Sequence, residues 1–308
     1  MAAMKRVVIC VWAVVVVSAA VMAGEHGPGV HFMQTEHFRL SYPSGYRGKA
    51  SLVARVAESA LVVLTGSLDV ELEDDVEIHL FETRTAMFAW LGREPQAYVM
   101  GLAVPGRNAI LLGIVKDEPL ARTTAHELAH IVLFEKFGSM HPAEQPRWLH
   151  EGLAQLAAGE LTADQRSLLG QASVGNELMG IAEMELGFGG DHKQTGLAYA
   201  QSFTLVEYLQ ELRPQGGIAA LVANLEDTGD LNRAMIRTYK KTQAQIEAQW
   251  LSRIRAEYLK AGLPLSADLM VWAGMGVLFI IAIIVQCRRR AAIRKRLAEE
   301  EELRELFR

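Results

Sequence analysis

The hydrophobic positions of this chain change period partway along it. His37-Phe38-Arg39-Leu40-Ser41-Tyr42 alternates and predicts a strand, ended by Pro43, Ser44 and Gly45. Leu52, Val53, Val56, Ala57, Ala60, Leu61 and Leu64 then recur at helical spacing, with Gly66 as the expected stop. Val76 to Phe81 alternates again, Thr83 to Leu91 predicts a short helix, and Val99 to Val104 with Asn108 to Leu112 predict paired strands around Pro105-Gly106-Arg107. Beyond this point the period is helical. Helices are expected over Leu120 to Phe137, from about Leu149 to Ala158, from a Thr162 cap to Ala172, over Tyr199 to Leu212 and over Gly217 to Leu225. A further helix, Leu231 to Leu259, is expected to break near Thr242. Gly187, Gly189, Gly190 and Gly196 predict a loose loop that could act as a lid. The expected class is α+β, with a small strand-rich half followed by a helical half.

Both ends stand apart from this body. Lys5 and Arg6 precede an apolar run from Val7 to Met22, and Val21-Met22-Ala23 fits a small-x-small cleavage site. Residues 1–23 therefore read as a secretory signal, with an uncleaved anchor helix as the alternative. Leu269 to Cys287 is free of charge for nineteen residues, roughly 28 Å as a helix and about one hydrocarbon core. The span is placed at 267–287. Arg288, Arg289, Arg290, Arg294, Lys295 and Arg296 follow it and predict that the tail, 288–308, stays cytoplasmic. The body, 24–266, is then extracytoplasmic and tethered by one C-terminal span.

With 308 residues, half of them hydrophobic, the chain can bury a sizeable core. The net charge is −5; the two ends carry +2 and +3, which leaves −10 between Val7 and Cys287. So acidic a body is a poor partner for nucleic acid, and the basic tail is explained by topology and anionic lipid. The cysteines are Cys10 and Cys287, both at or beyond the ends of the body. The body thus has neither a disulfide nor a thiol nucleophile, which suits a bacterial cell envelope.

The candidate chemistry lies where the two halves meet. Thr124-Ala125-His126-Glu127-Leu128-Ala129-His130 is an H-E-x-x-H string on a helical pattern, followed by Trp148-Leu149-His150-Glu151-Gly152-Leu153-Ala154. His126 and His130 are four apart and share a helix face, so two imidazoles can reach one zinc ion. Glu127 lies about 100° round the helix from His126, which suits a base acting on water beside the metal. A metzincin-type third ligand fails, because Leu133 and Lys136 stand where glycine and histidine would be needed. Glu151 can return to the metal on a second helix, with Gly152 permitting close approach; the bland alternative is a surface acid. Tyr199 is the candidate for stabilising an oxyanion, and a tyrosine packed between helices is the alternative.

These two strings resemble those of the gluzincin metallopeptidases, particularly the peptidase MA-like domains of bacterial envelope proteins. The resemblance runs from about His37 to about Leu259 and includes Ala198-Tyr199-Ala200-Gln201-Ser202-Phe203. It implies a zincin-like fold, Zn2+ bound by His126, His130 and Glu151, Glu127 as base, and a peptide or protein substrate. It also implies that an edge strand within Val99 to Leu112 pairs with extended substrate. The G-x-M-E-N string of the aminopeptidase branch is absent, which favours endopeptidase action. Two other functions fit the same residues: an inactive peptidase-like domain used for binding or assembly, and a zinc hydrolase of cell-wall material.

Overall fold

A computed structural model describes residues 29–95, 99–114, 119–138, 140–159 and 161–262, with Met275, Phe279 and Arg288 beyond them. Residues 1–262 form one compact unit and 263–308 a second. The expected signal, and nearly all of the expected span from Leu269 to Cys287 and of the basic tail, lie outside the described residues.

The first unit opens with a five-stranded sheet. Its strands are β1 (Val30–Gln34), β2 (Phe38–Pro43), β3 (Val76–Phe81), β4 (Gly101–Val104) and β5 (Ala109–Gly113), in the order β1-β2-β3-β5-β4. The three central strands are parallel, and β1 and β4 are antiparallel edges. The expected strand at Val76–Phe81 and the expected pairing of β4 with β5 are both present. β1 lies outside every expected element. Its residues are mostly exposed, so it lacks the alternation that marks a half-buried strand.

Helix α1 (Arg47–Leu68) packs on one face of the sheet beside α3 (Leu120–Phe137), and α2 (Arg84–Trp90) covers part of the other. Alternation along β5 divides the core accordingly. Ile110 and Leu112 join α1 and α3, whereas Ala109 and Leu111 join Met87 and Phe88 of α2. α1 begins earlier than its hydrophobic repeat and runs through Gly66, where an added Cβ would meet nothing within 4 Å. Among the described residues it is the one helix long and apolar enough to cross a membrane. Its inner residues Ala50, Val53, Ala57, Leu61 and Leu64 are core, so those properties serve packing on the sheet.

The helical half comprises α4 (Arg147–Ala157), α5 (Ala163–Gly175), α6 (Ile181–Gly187), α7 (His192–Leu212), α8 (Gly217–Thr228), α9 (Leu231–Tyr239) and α10 (Gln243–Gly262). Thr162 caps α5 through a capping box with Gln165, as expected from its position. α9 and α10 break at Lys240, which is left-handed with φ 58. The expected glycine loop is much shorter than its sequence suggests. Gly187 ends α6, Asp191 caps α7 with Gln194, and Gly196 is buried inside α7. α7 is buried continuously from Thr195 to Val206 and packs against α4 and α5.

Candidate metal centre and active site

The site is built on α3 and α4, joined by a turn at Pro142–Glu144. α3 is buried without a break from Thr123 to Leu133, since one face meets the sheet and the other meets α4. His126, Glu127 and His130 therefore sit inside the molecule. α4 starts after Pro146, whose ring fixes the entry, and its first amides have no side-chain cap of their own. Glu185 of α6 supplies one, accepting from the Trp148 amide at 3.2 Å. Trp148 and Leu149 are fully buried and fix the rotation of α4. Gly152 lets α4 lie against α7. A Cβ there would penetrate the Ser202 carbonyl oxygen and stand 2.6 Å from Val206 Cγ2.

This packing turns Glu151 toward α3. Its Oε2 lies 3.7 Å from His126 Nε2 and 3.8 Å from His130 Nε2. One donor atom from each residue lies within 4.8 Å of the others, and all three side chains are buried. Donors at about 2.1 Å from a tetrahedral zinc ion stand roughly 3.4 Å apart, and both separations from Glu151 Oε2 are within a few tenths of an ångström of that. His126 Nε2 and Glu151 Oε2 are buried without a hydrogen-bond partner. A bound cation would satisfy both. The donor set and these two orphaned atoms fit a divalent metal, and the described residues here could hold one.

The electrostatics agree. Burial pushes the His126 imidazole down to about 4, against a hydrogen bond to the Ala154 carbonyl and with help from the Arg122 charge. Burial also holds His130 well below its ordinary value, and the charges of His126, His150 and Arg147 add to this. The rings are thus neutral near pH 7, the form that ligates, and their approaches to Glu151 are not ion pairs. Burial raises the Glu151 carboxyl to about 8, although Arg147 opposes the shift. A cation among these donors would favour its charged form. With Nε2 of His126 directed at the cluster, its other ring nitrogen donates to the Ala154 carbonyl, which fixes the ring.

The second oxygen of Glu151 is held from outside. Tyr199, fully buried on α7, donates its hydroxyl to Oε1 at 3.4 Å. Arg147 Nε stands 3.6 Å from the same oxygen, while its guanidinium lies 4.6 Å over the Phe188 ring. Glu127 faces β4, and its Oε2 accepts from the Ala103 amide at 2.8 Å. His150 points away from the cluster, with Nε2 bonded to Gln145 Oε1 at 2.7 Å and its ring against Phe134 and Phe137.

Every residue singled out for the site, His126, Glu127, His130, Glu151 and Tyr199, is therefore gathered at the junction of α3, α4, α7 and the β4 edge. Sequence reasoning missed Ala103 and Ala154, which act through backbone groups, Glu185, whose partner is distant in the chain, and Arg147, whose i,i+4 spacing from Glu151 was the available signal. Gly101 carried a signal, being an isolated glycine within a strand pattern.

A helix with paired imidazoles and a glutamate between them, crossed by a second helix with a carboxylate beneath a mixed sheet, is the construction of a zinc-peptidase-like fold. The model of the Peptidase MA superfamily matches residues 56–256, and the chain belongs to that superfamily. No curated protein matches it.

Proposed function

We propose that the protein is a membrane-tethered zinc metallopeptidase acting on peptide or protein substrates outside the cytoplasm, as an endopeptidase. The observation that carries this reading is the convergence of three buried donor atoms, two of them orphaned, beside a glutamate held at a sheet edge. His126, His130 and Glu151 would hold the metal. Bound zinc supplies Lewis acidity, lowering the pKa of water and polarising a carbonyl. Glu127 accepts the proton of the attacking water and passes it to the leaving amine. The edge strand β4 holds the peptide extended by backbone pairing. Tyr199 orients Glu151 through Oε1; stabilisation of the oxyanion is its alternative role. The signal, the C-terminal span and the basic tail, read from sequence, support the location.

The test uses purified full-length protein, its metal content and its cleavage of a peptide library with and without chelator. Glu127→Gln should keep zinc and lose hydrolysis by about 10²–10⁴-fold, whereas His126→Ala should lose both. Chelator-sensitive cleavage that survives Glu127→Gln would refute the assignment of the base. Absence of zinc from the native protein, even after adding it back, would leave the inactive binding-domain reading.

A further inference from the structure

We infer that the backbone amide of Ala103 is a positioning group for Glu127, and that Gly101 is the residue that allows β4 to come close enough to provide it. The inference rests on the proposed role of Glu127 as base.

The register of β4 with β5 decides which of its groups are available. Gly113 donates to the Met100 carbonyl at 2.9 Å, and Leu102 lies opposite Leu111. In an antiparallel pair the hydrogen bonding alternates, so Met100, Leu102 and Val104 direct their polar groups at β5. Gly101 and Ala103 direct theirs off the sheet edge. An outward amide on an edge strand ordinarily meets water or a pairing peptide. The Ala103 amide instead closes on Glu127 Oε2 at 2.8 Å, with Glu127 only 2% exposed.

That contact requires the strand to lie flush against α3. A Cβ at Gly101 would stand 2.6 Å from Thr123 Cγ2, 2.8 Å from Glu127 Cγ and 2.9 Å from Glu127 Oε1. Each distance is shorter than real Cβ contacts allow, so any side chain here must push the strand or the glutamate aside. The strand thereby selects the rotamer of the glutamate and fixes one of its oxygens.

The arrangement also constrains substrate. At position 103 only the carbonyl remains for a pairing peptide, since the amide is taken by Glu127. A peptide carbonyl opposite the Ala103 amide finds the Glu127 carboxylate already there. The base thus stands in the row of hydrogen-bonding groups that aligns the peptide, so alignment of the substrate and aim of the base share one backbone.

The test is residue-resolved hydrogen exchange on the full chain in detergent, followed by kinetics. The Ala103 amide should exchange about tenfold or more slowly in the native chain than in Glu127→Ala. The amides of Leu102 and Val104, paired with β5, should stay protected in both proteins, which separates loss of one bond from fraying of the strand. In Gly101→Ala the Ala103 amide should become fast, and kcat should fall about 10- to 100-fold with zinc affinity and KM within about twofold. The same substitution in a Thr123→Ser background removes the nearest methyl and serves if the single variant does not fold. Fast exchange at Ala103 in the native chain, or protection that survives Glu127→Ala, overturns the inference. So does Gly101→Ala with full kcat, or with lost zinc, since the glycine would then serve the fold and not the aim of the base. A native chain that cleaves no peptide sinks the peptidase reading, while the exchange measurement still decides whether Ala103 holds Glu127.

Discussion

The Tyr199 hydroxyl donates to Glu151 Oε1 at 3.4 Å, so the other carboxylate oxygen is the one presented to His126 and His130. A carboxylate has two equivalent oxygens and a soft terminal torsion, and an outside donor is what distinguishes them. Tyr199→Phe deletes that donor and keeps the ring that packs edge-on against Phe188. Zinc affinity should fall about 10- to 100-fold, and kcat at saturating zinc should change little. Competition against a chromophoric chelator, beside steady-state kinetics, checks this. Unchanged affinity with kcat reduced about 10²-fold would assign the hydroxyl to the oxyanion instead.

Gly152 couples the position of Glu151 to the packing of α4 on α7. A Cβ there would overlap the Ser202 carbonyl, which belongs to a helix buried on all sides and cannot retreat. Gly152→Ala should therefore destabilise the domain by about 1–3 kcal/mol, although alanine is the better helix former. It should also weaken zinc binding, because the helix that moves carries Glu151. Denaturant unfolding and zinc competition on the same sample check both effects. A stabilised variant with native zinc affinity would show that the two helices are less closely packed than the structure has them.

How far this site was legible in the sequence follows from the range of each interaction. His126 and His130 share a face by helix geometry alone, and β3 shows its buried positions by alternation. The close approach expected at Gly152 is present, and the neighbour that demands it lies on α7. Ala103 was not legible as part of the site, and Gly101 showed only as an isolated glycine in a strand pattern, because what each does depends on where α3 lies across β4. β1 carries no buried stripe, and Gly66 and Gly196 sit in helices because nothing at those points requires a left-handed turn. Glycine reads as a break in sequence, and a left-handed turn that needs it makes it one at Gly138 after α3, where φ is positive.

His150 links the site to acid stability. Burial depresses its imidazole to about 3, so the unfolded chain takes up this proton first as the pH falls. The stability it contributes is complete above its unfolded value near 6.5 and is lost progressively below it, by about 1.4 kcal/mol per pH unit. His150→Phe should fit beside Phe134 and Phe137 but leave Gln145 Oε1 without its 2.7 Å partner. In chelator at pH 7.5 the variant should be about 1–3 kcal/mol less stable. At pH 5 the difference should shrink by about 2 kcal/mol, because the variant lacks that proton uptake. Unfolding curves at the two pH values check it; a gap that widens on acidification would contradict a neutral buried His150.

Metal removal separates a ligand cluster from a merely polar core. The cluster exists only in the folded chain, so zinc at about 1,000 times its dissociation constant should stabilise the domain by about 4 kcal/mol. For a domain of this size that corresponds to a rise in Tm of roughly 8–16 °C over the chelated protein. Glu151→Gln should lose most of this rise, since a neutral amide is a poor zinc ligand. Without metal the order should reverse. Burial raises the native carboxyl to about 8, so near pH 7.5 a sizeable share of folded molecules must carry its proton. An amide of the same shape removes that demand and can still accept from Tyr199 at Oε1. Chelated Glu151→Gln should therefore melt at or above the chelated native protein. If it melts well below, the contact of Glu151 with Arg147 at 3.6 Å is a structural ion pair in its own right, and the case for a metal loses one of its three donors.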